Sequence, residues 1–89
     1  MISHDKDAHR FATMADGVEA HLDYELAGTT MTITHTIVPP EIGGRGIAGH
    51  LVQAAFAAAR SHGWKVRPQC SYAAAWAQKH PDVQDLLAR

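Results

Sequence analysis

One β-branched segment, ended by two prolines, constrains the fold of this chain more than any other feature. Residues 30–38 read TMTITHTIV, and such a run strongly favours a β-strand. Pro39 and Pro40 end the strand, because proline cannot donate a hydrogen bond to a neighbouring strand. The chain must therefore build a sheet around this segment. Alternation along the strand predicts that four side chains share its apolar face: Met31, Ile33, His35 and Ile37.

Two further strands are predicted before this run. Residues 18–26 alternate between apolar and polar side chains, which is typical of a half-buried strand. Asp16-Gly17 is a turn dipeptide suited to a hairpin, and residues 11–14 are predicted as the strand before it. The three strands together predict an antiparallel meander.

Helical patterns follow the prolines. Residues 47–61 carry an apolar stripe at helical spacing, and Gly63 is suited to end that helix. Residues 64–69 are predicted to be extended, residues 71–79 helical, and residues 82–88 a last helix. The order β-β-β-α-β-α-α predicts an α+β fold, an α/β sandwich with a mixed sheet.

Composition narrows the class of protein. A length of 89 residues predicts a single domain, in which residues 1–9 form a flexible tail. A formal net charge of -1 disfavours nucleic-acid binding, and no window approaches the roughly 18 apolar residues of a membrane span. The sole cysteine, Cys70, excludes an intrachain disulfide. A lone thiol and the absence of a signal region favour the cytoplasm.

The strongest local signal is the segment Gly43-Gly44-Arg45-Gly46-Ile47-Ala48, which we call the glycine loop. Glycines at the start of a helix let backbone N–H groups approach an anion, and the helix N-terminus supplies positive potential. A phosphate or pyrophosphate is the expected ligand. The alternative is a tight turn that leads into a helix of small residues.

Two familiar phosphate-binding motifs fit this segment poorly. A P-loop requires Lys and then Ser or Thr after its last glycine, whereas His50 and Leu51 follow Gly49. Gly44, Gly46 and Gly49 match the dinucleotide fingerprint literally. No acidic residue lies about 20 positions further on, and the chain has no room for a dinucleotide-binding fold.

The glycine loop resembles the acetyl-CoA-binding segment of the GNAT N-acetyltransferase superfamily, (Gln/Arg)-x-x-Gly-x-(Gly/Ala). Gly46 and Ala48 match the glycine and the small residue. Gly43 stands where the pattern has Gln or Arg, and Arg45 can supply a cation from the neighbouring position.

The resemblance narrows to the short YjdJ-type subfamily, minimal N-acetyltransferase-like domains of about this length. It covers about residues 11–87, and four motifs in order carry it: His35-Thr36-x-Val38-Pro39, Gly44-Arg45-Gly46-Ile47-Ala48, Pro68-x-Cys70-x-Tyr72 and His80-Pro81. It implies a minimal GNAT-like fold that binds acetyl-CoA where two parallel strands, residues 30–38 and 64–69, splay apart. The pyrophosphate would lie on the glycine loop, and backbone groups of Ile37 and Val38 would hold the pantetheine arm.

Cys70 is the first catalytic candidate. It lies where the second central strand meets a helix N-terminus, a position that lowers the pKa of a thiol. A thiolate there can accept the acetyl group or act as an acid or base. Spacing alone favours the alternative that Cys70 is a small buried residue without a catalytic role, since cysteine is among the most buried residue types. The resemblance places Cys70 beside the thioester and favours function.

His35 and Tyr72 are the other catalytic candidates. Histidine can act as a general base near neutral pH, although a hydrogen-bonded core residue is the common alternative on an apolar face. Larger members of the superfamily often carry a tyrosine acid late in the helix after the second central strand. Trp76 lies near that place here and cannot donate a proton as an acid, so Tyr72 is a weaker substitute.

The sequence therefore predicts a protein that binds acetyl-CoA and transfers its acetyl group to an amine. No metal is expected, because the seven histidines show no ligand spacing. Asp16-Gly17 turns directly into the next strand, so the acceptor side is expected to be open. The acceptor would then be a protein or peptide amine, or a partner subunit would complete the site, and the chain would be a monomer or homodimer. The alternatives are a non-catalytic module that binds CoA or acyl-CoA, and an anion-binding structural domain.

Overall fold

Five strands form one sheet in a computed structural model that describes residues 1–88. The strands follow one another across the sheet in chain order: β1 (Ser3–Asp5), β2 (Arg10–Ala15), β3 (Val18–Ala27), β4 (Thr30–Ile37) and β5 (Lys65–Pro68). Neighbouring strands are antiparallel except for β4 and β5, which are parallel. The mixed sheet and the predicted antiparallel meander are confirmed.

Two α-helices complete the fold, α1 (Ile47–His62) and α2 (Ser71–Gln78). Gly63 ends α1 with a φ of 74°, a conformation that favours glycine. The predicted last helix is instead a 3-10 helix at Pro81–Leu86, and a second 3-10 turn at Pro40–Ile42 follows β4. Among residues 1–88, no helix is long and apolar enough to cross a membrane.

The first nine residues differ from the predicted flexible tail, because Ser3–Asp5 pairs with β2 as the edge strand. The ring of His4 stacks on Phe11, with 4.0 Å between the ring centroids. The same side chain lies within hydrogen-bonding distance of the Tyr24 hydroxyl, at 2.5 Å. These contacts come from distant parts of the chain, so the local composition gave no sign of them.

The buried side chains form one hydrophobic cluster between the sheet and the helices. β3 shows the alternation clearly: Leu22 and Tyr24 are buried, whereas Asp23 between them is half-buried. We call the side that carries Leu22 and Tyr24 the core face and the opposite side the polar face. α1 contacts four of the five strands, and its buried residues close the core: Leu51, Val52, Ala55, Phe56 and Ala59.

A β-bulge in β4 changes which side chains face the core. Tyr24 pairs with Ile33, but Asp23 pairs with His35, so Thr34 is an extra residue in β4. Its hydroxyl donates a hydrogen bond to the Asp23 carbonyl at 3.2 Å. The prediction that Met31, Ile33, His35 and Ile37 share the apolar face is therefore wrong. Met31 and Ile33 are buried, whereas His35 and Ile37 are exposed beyond the bulge.

Candidate functional site

β4 and β5 separate halfway along β4. Their pairing ends at Ile33 and Pro68, and the Ile33 carbonyl accepts hydrogen bonds from the N–H groups of both Gln69 and Cys70. The chain then turns into α2. Within the described residues, the second half of β4 has β3 on one side and no strand on the other. We call the opening between residues 34–38 and Cys70 the β4 notch.

Thr36 and Cys70 face each other across the β4 notch. Thr36 pairs with the buried Leu22, which places its side chain on the core face. The Thr36 hydroxyl oxygen lies 3.6 Å from the Cys70 sulfur. Both residues are half-buried, so the thiol is partly shielded and still accessible.

Hydrogen bonding favours the thiolate form of Cys70. Burial raises the pKa of the thiol, but backbone N–H groups of Ala73, Tyr72 and Thr36 and the Thr36 hydroxyl lower it, and the net pKa lies below its ordinary value. Within the described residues, no side-chain hydrogen bond caps α2, so the Ala73 and Tyr72 N–H groups lower the pKa without a complete cap. The start of a helix also favours negative charge. Cys70 therefore has the surroundings of a reactive cysteine.

His35 lies away from this contact. It is exposed and faces the polar side of the sheet, because neighbouring strand residues point to opposite faces and Thr36 points to the core side. Its ring nitrogen Nδ1 lies 3.2 Å from the Thr34 hydroxyl. The β4 notch thus brings Thr36 to Cys70 and leaves His35 on the opposite face.

Tyr72 joins the starts of the two helices. If residue 49 carried a Cβ atom, that atom would lie 3.3 Å from the Tyr72 hydroxyl and 3.7 Å from Trp76 Nε1. Gly49 therefore allows close contact between the first turn of α1 and α2. Tyr72 is exposed and lies beside the helix turn that follows the glycine loop.

Residues 43–46 of the glycine loop are exposed and lead into the first turn of α1. Gly44 and Gly46 have φ angles of 77° and 75°, the left-handed region that side chains other than glycine rarely adopt. A Cβ at either glycine would meet nothing within 4 Å, so the backbone is open to an approaching ligand. Within residues 1–88, no side chain hydrogen-bonds the N-terminus of α1. The loop is anchored by Ile42, which is fully buried.

Comparisons with known proteins identify the family of this chain. The family model described as GCN5-related N-acetyl-transferase matches residues 10–86. The chain belongs to the GCN5-related N-acetyltransferase (GNAT) family. Protein NATD1 of Xenopus tropicalis is 33% identical over 88 residues, which cover 96% of this chain and 81% of that protein.

A solved structure supports the same fold. The solution structure of a GCN5-like protein from Staphylococcus aureus superimposes with a TM-score of 0.77 at 26% identity. The match covers 99% of this chain and 87% of that one. The α+β fold expected from the sequence is thereby confirmed, whereas the narrower YjdJ-type resemblance stays a prediction.

The remaining predicted residues of this GNAT chain lie where β4 ends and where α1 begins. Ile37 is exposed and Val38 is half-buried where β4 ends. Ile47 and Ala48 form the half-buried start of α1. Ile47 also borders an apolar groove of about 430 Å³ that runs from β2 to His50. A second groove, of about 380 Å³ between α1 and the C-terminal 3-10 helix, is lined by none of the predicted site residues.

Two residues near this site were missed by reasoning from the sequence. Thr36 was expected opposite the apolar face, and only the bulge turns it towards Cys70. Asp16 was predicted only as part of a turn, but its carboxylate oxygen Oδ2 lies 2.7 Å from a guanidinium nitrogen of Arg45. The Asp-Gly turn was the only sequence signal for Asp16, and it gave no indication of a partner 29 residues away.

Proposed function

We propose that this protein is an acetyl-CoA-dependent N-acetyltransferase whose reacting thioester lies in the β4 notch. The observation that carries the proposal is the meeting of Cys70 with Thr36 where β4 and β5 separate, at 3.6 Å between sulfur and oxygen. Membership of the GNAT family supports acetyl transfer as the reaction class. Acetyl-CoA supplies an activated thioester, and the residues of this chain bind and orient it.

The glycine loop would hold the phosphate end. Gly44 and Gly46 leave the backbone open, and the N–H groups in the uncapped first turn of α1 attract an anion. Gly43 begins the loop, where its N–H donates to the Pro40 carbonyl. Arg45 would add a positive charge from its exposed position in the same loop. Ile47 and Ala48 begin the helix whose dipole favours the phosphates.

The second half of β4 would hold the pantetheine arm. Residues beyond Ile33 lack a neighbouring strand on the β5 side, so their backbone groups on that side can bind amides. The backbone of Ile37 and Val38 continues in the direction of the glycine loop.

Cys70 and His35 would have separate roles. The Cys70 thiol, held by the Thr36 hydroxyl and by the start of α2, would either accept the acetyl group or exchange a proton with the leaving thiolate. His35, on the polar face, would take a proton from an amine that approaches from that face. Tyr72, beside Gly49, would contact the bound molecule between loop and notch.

The acceptor in this proposal is an amine of a protein or peptide. β2 turns directly into β3 at Asp16 and Gly17, so no helix of residues 1–88 lies between these strands to enclose a small acceptor. A lone thiol fits a reducing compartment, so we place the reaction in the cytoplasm.

The test is incubation with acetyl-CoA and a panel of amines and lysine-containing peptides, followed by mass spectrometry of protein and acceptors. The proposal predicts release of CoA with acetylation of an amine, or an acetyl group on Cys70. Cys70→Ala should prevent both, while His62→Ala, on the exposed end of α1, should change neither. If CoA binds but no acetyl group is transferred to any acceptor or to Cys70, the proposed enzyme is contradicted.

A second candidate is a module that binds CoA or acyl-CoA without catalysis. It is favoured by Trp76, which lies near the position where larger members of the superfamily often carry a tyrosine acid. The Trp76 ring is stacked between Phe56 and His80 and cannot donate a proton as an acid. This candidate predicts saturable CoA binding together with unmodified amines and an unmodified Cys70 in the same mass spectra.

A further inference from the structure

Arg45, the one cation of the glycine loop, is already paired with a carboxylate. Its guanidinium nitrogen lies 2.7 Å from Asp16 Oδ2, and both side chains are substantially exposed, at 47% and 68%. Arg45 is flanked by Gly44 and Gly46, which gives the loop few conformational restraints on either side of it. The pair therefore joins the loop to the turn between β2 and β3.

Asp16 is held in place by its turn. Its φ of 51° and the φ of 76° at Gly17 are those of a type I′ hairpin turn, in which both central residues are left-handed. The turn connects strands that are paired without interruption from Arg10–Asp23 to Ala15–Val18. The backbone that carries the Asp16 carboxylate is therefore restrained by the hairpin, whereas the backbone of Arg45 is flanked by two glycines and is less restrained.

The position of this carboxylate opposes anion binding. A negative charge beside a helix N-terminus partly offsets the positive potential that would attract a phosphate. Asp16 also occupies the guanidinium group that would otherwise bind the phosphate through two parallel hydrogen bonds. An exposed ion pair contributes little stability, so a multiply charged ligand can displace it.

We infer that Asp16 competes with the phosphates of the ligand for Arg45 and so sets the affinity of the glycine loop. Arg45 exchanges the carboxylate for phosphate when the ligand binds and returns to Asp16 when it leaves. Asp16 thereby acts as a positioning residue that weakens binding and selects for ligands with enough negative charge to displace it. This inference rests on the proposed function, since it takes CoA as the ligand.

The test compares the calorimetric affinity of four proteins for CoA: wild type, Asp16→Asn, Arg45→Gln and the double variant. Asparagine adopts the left-handed conformation readily, so Asp16→Asn preserves the turn. It should bind CoA about fivefold more tightly, and Arg45→Gln more weakly. In the double variant the gain from Asp16→Asn should largely disappear, because the competition is for Arg45. Pantetheine, which lacks phosphate, should bind all four equally.

Asp85→Asn is the matched control. Asp85 also pairs with an exposed arginine, Arg60, at 3.0 Å, but at the other end of α1. Its replacement should leave the CoA affinity unchanged. The inference is overturned if Asp16→Asn binds CoA no more tightly than wild type. It is also overturned if Asp16→Asn raises the CoA affinity as much in the Arg45→Gln protein as in wild type.

The wild-type titration keeps the two proposals separate. If wild type binds no CoA, the proposed function fails, and inorganic pyrophosphate becomes the probe for the same four proteins. Tighter pyrophosphate binding by Asp16→Asn then supports competition at an anion site of another kind. If neither CoA nor pyrophosphate binds any of the proteins, both proposals are overturned.

Discussion

The two helices of this protein begin in opposite ways, although each follows a central strand. α1 begins after Gly46, which has a φ of 75°. As a glycine, it has no side chain to cover the helix N-terminus. α2 begins after Cys70 in an extended conformation, and N–H groups of its first turn lower the pKa of the Cys70 thiol. The first arrangement leaves the positive helix end open to an external anion, whereas the second directs it to a group of the protein itself. In the proposed function, the same helix-end electrostatics would serve binding at one helix and reactivity at the other.

The contact between Tyr72 and Gly49 keeps the two helix starts side by side. A ligand with a phosphate at one end and a reactive group at the other can therefore contact both. Changes at one helix start should alter binding, and changes at the other should alter chemistry.

The largest effect is expected from Gly46→Glu, which should abolish CoA binding. A side chain at this φ is strained by about 1–2 kcal/mol, and its carboxylate would repel phosphate at the start of α1. The measurement is the rise in melting temperature on addition of CoA, which should vanish. Gly63→Glu is the matched control, because Gly63 has a φ of 74° and equally open space at the other end of α1. Full CoA stabilisation of Gly46→Glu would remove the loop from the binding site.

Cys70→Ala should separate chemistry from binding. Loss of the thiol should lower amine acetylation by about 10³-fold, within the range of a lost acid, base or nucleophile. CoA affinity should change little, because the proposed phosphate site is at the other helix. Steady-state CoA release and calorimetry measure the two effects. An unchanged acetylation rate would mean that Cys70 is only a packed residue.

His35→Ala tests whether the polar face serves the acceptor. We expect a loss of about 10²-fold in amine acetylation, the low end for a general base. Acetylation of Cys70 and CoA affinity should stay unchanged, because His35 faces away from the Thr36–Cys70 contact. A loss of Cys70 acetylation in this variant would show that His35 acts on the thiol instead.

The smallest effect is expected from Thr36→Val, which keeps the shape of the side chain and removes its hydroxyl. This hydroxyl lowers the pKa of Cys70, so its loss should raise the pKa and reduce the thiolate fraction at neutral pH. Alkylation by iodoacetamide as a function of pH should have a midpoint below the 8.5 or so of a free cysteine in wild type, and a higher midpoint in the variant. The reaction at pH 7 should be a few-fold slower. Thr32→Val, in the paired half of β4, should leave the midpoint unchanged.

Much of the fold could be predicted from local patterns. The strand at Thr30–Ile37 and the helix at Ile47–His62 begin where the β-branched run and the apolar stripe begin. The parallel pairing of β4 with β5 followed from the family resemblance. Cys70 lies between the end of β5 and the start of α2, where the strand and helix patterns predict it, and its role beside the thioester stays a prediction.

The rest depends on contacts between distant residues. The bulge at Thr34 arises from the register between β3 and β4, and no local pattern marks it. It moved His35 to the polar face and Thr36 to Cys70, so one inserted residue changed the assignment of both. Local patterns also gave no sign of two other contacts between distant residues: the pairing of Asp16 with Arg45 and the edge strand at Ser3–Asp5.

The most direct test of the central claim is a calorimetric titration of the wild-type protein with CoA. The account predicts saturable binding at one site per chain, with Gly46→Glu giving no heat and Cys70→Ala giving a curve like that of wild type. Absence of heat at millimolar CoA, with no rise in melting temperature, would contradict it. Loss of binding in Cys70→Ala with full binding in Gly46→Glu would reverse the roles assigned to the two helix starts.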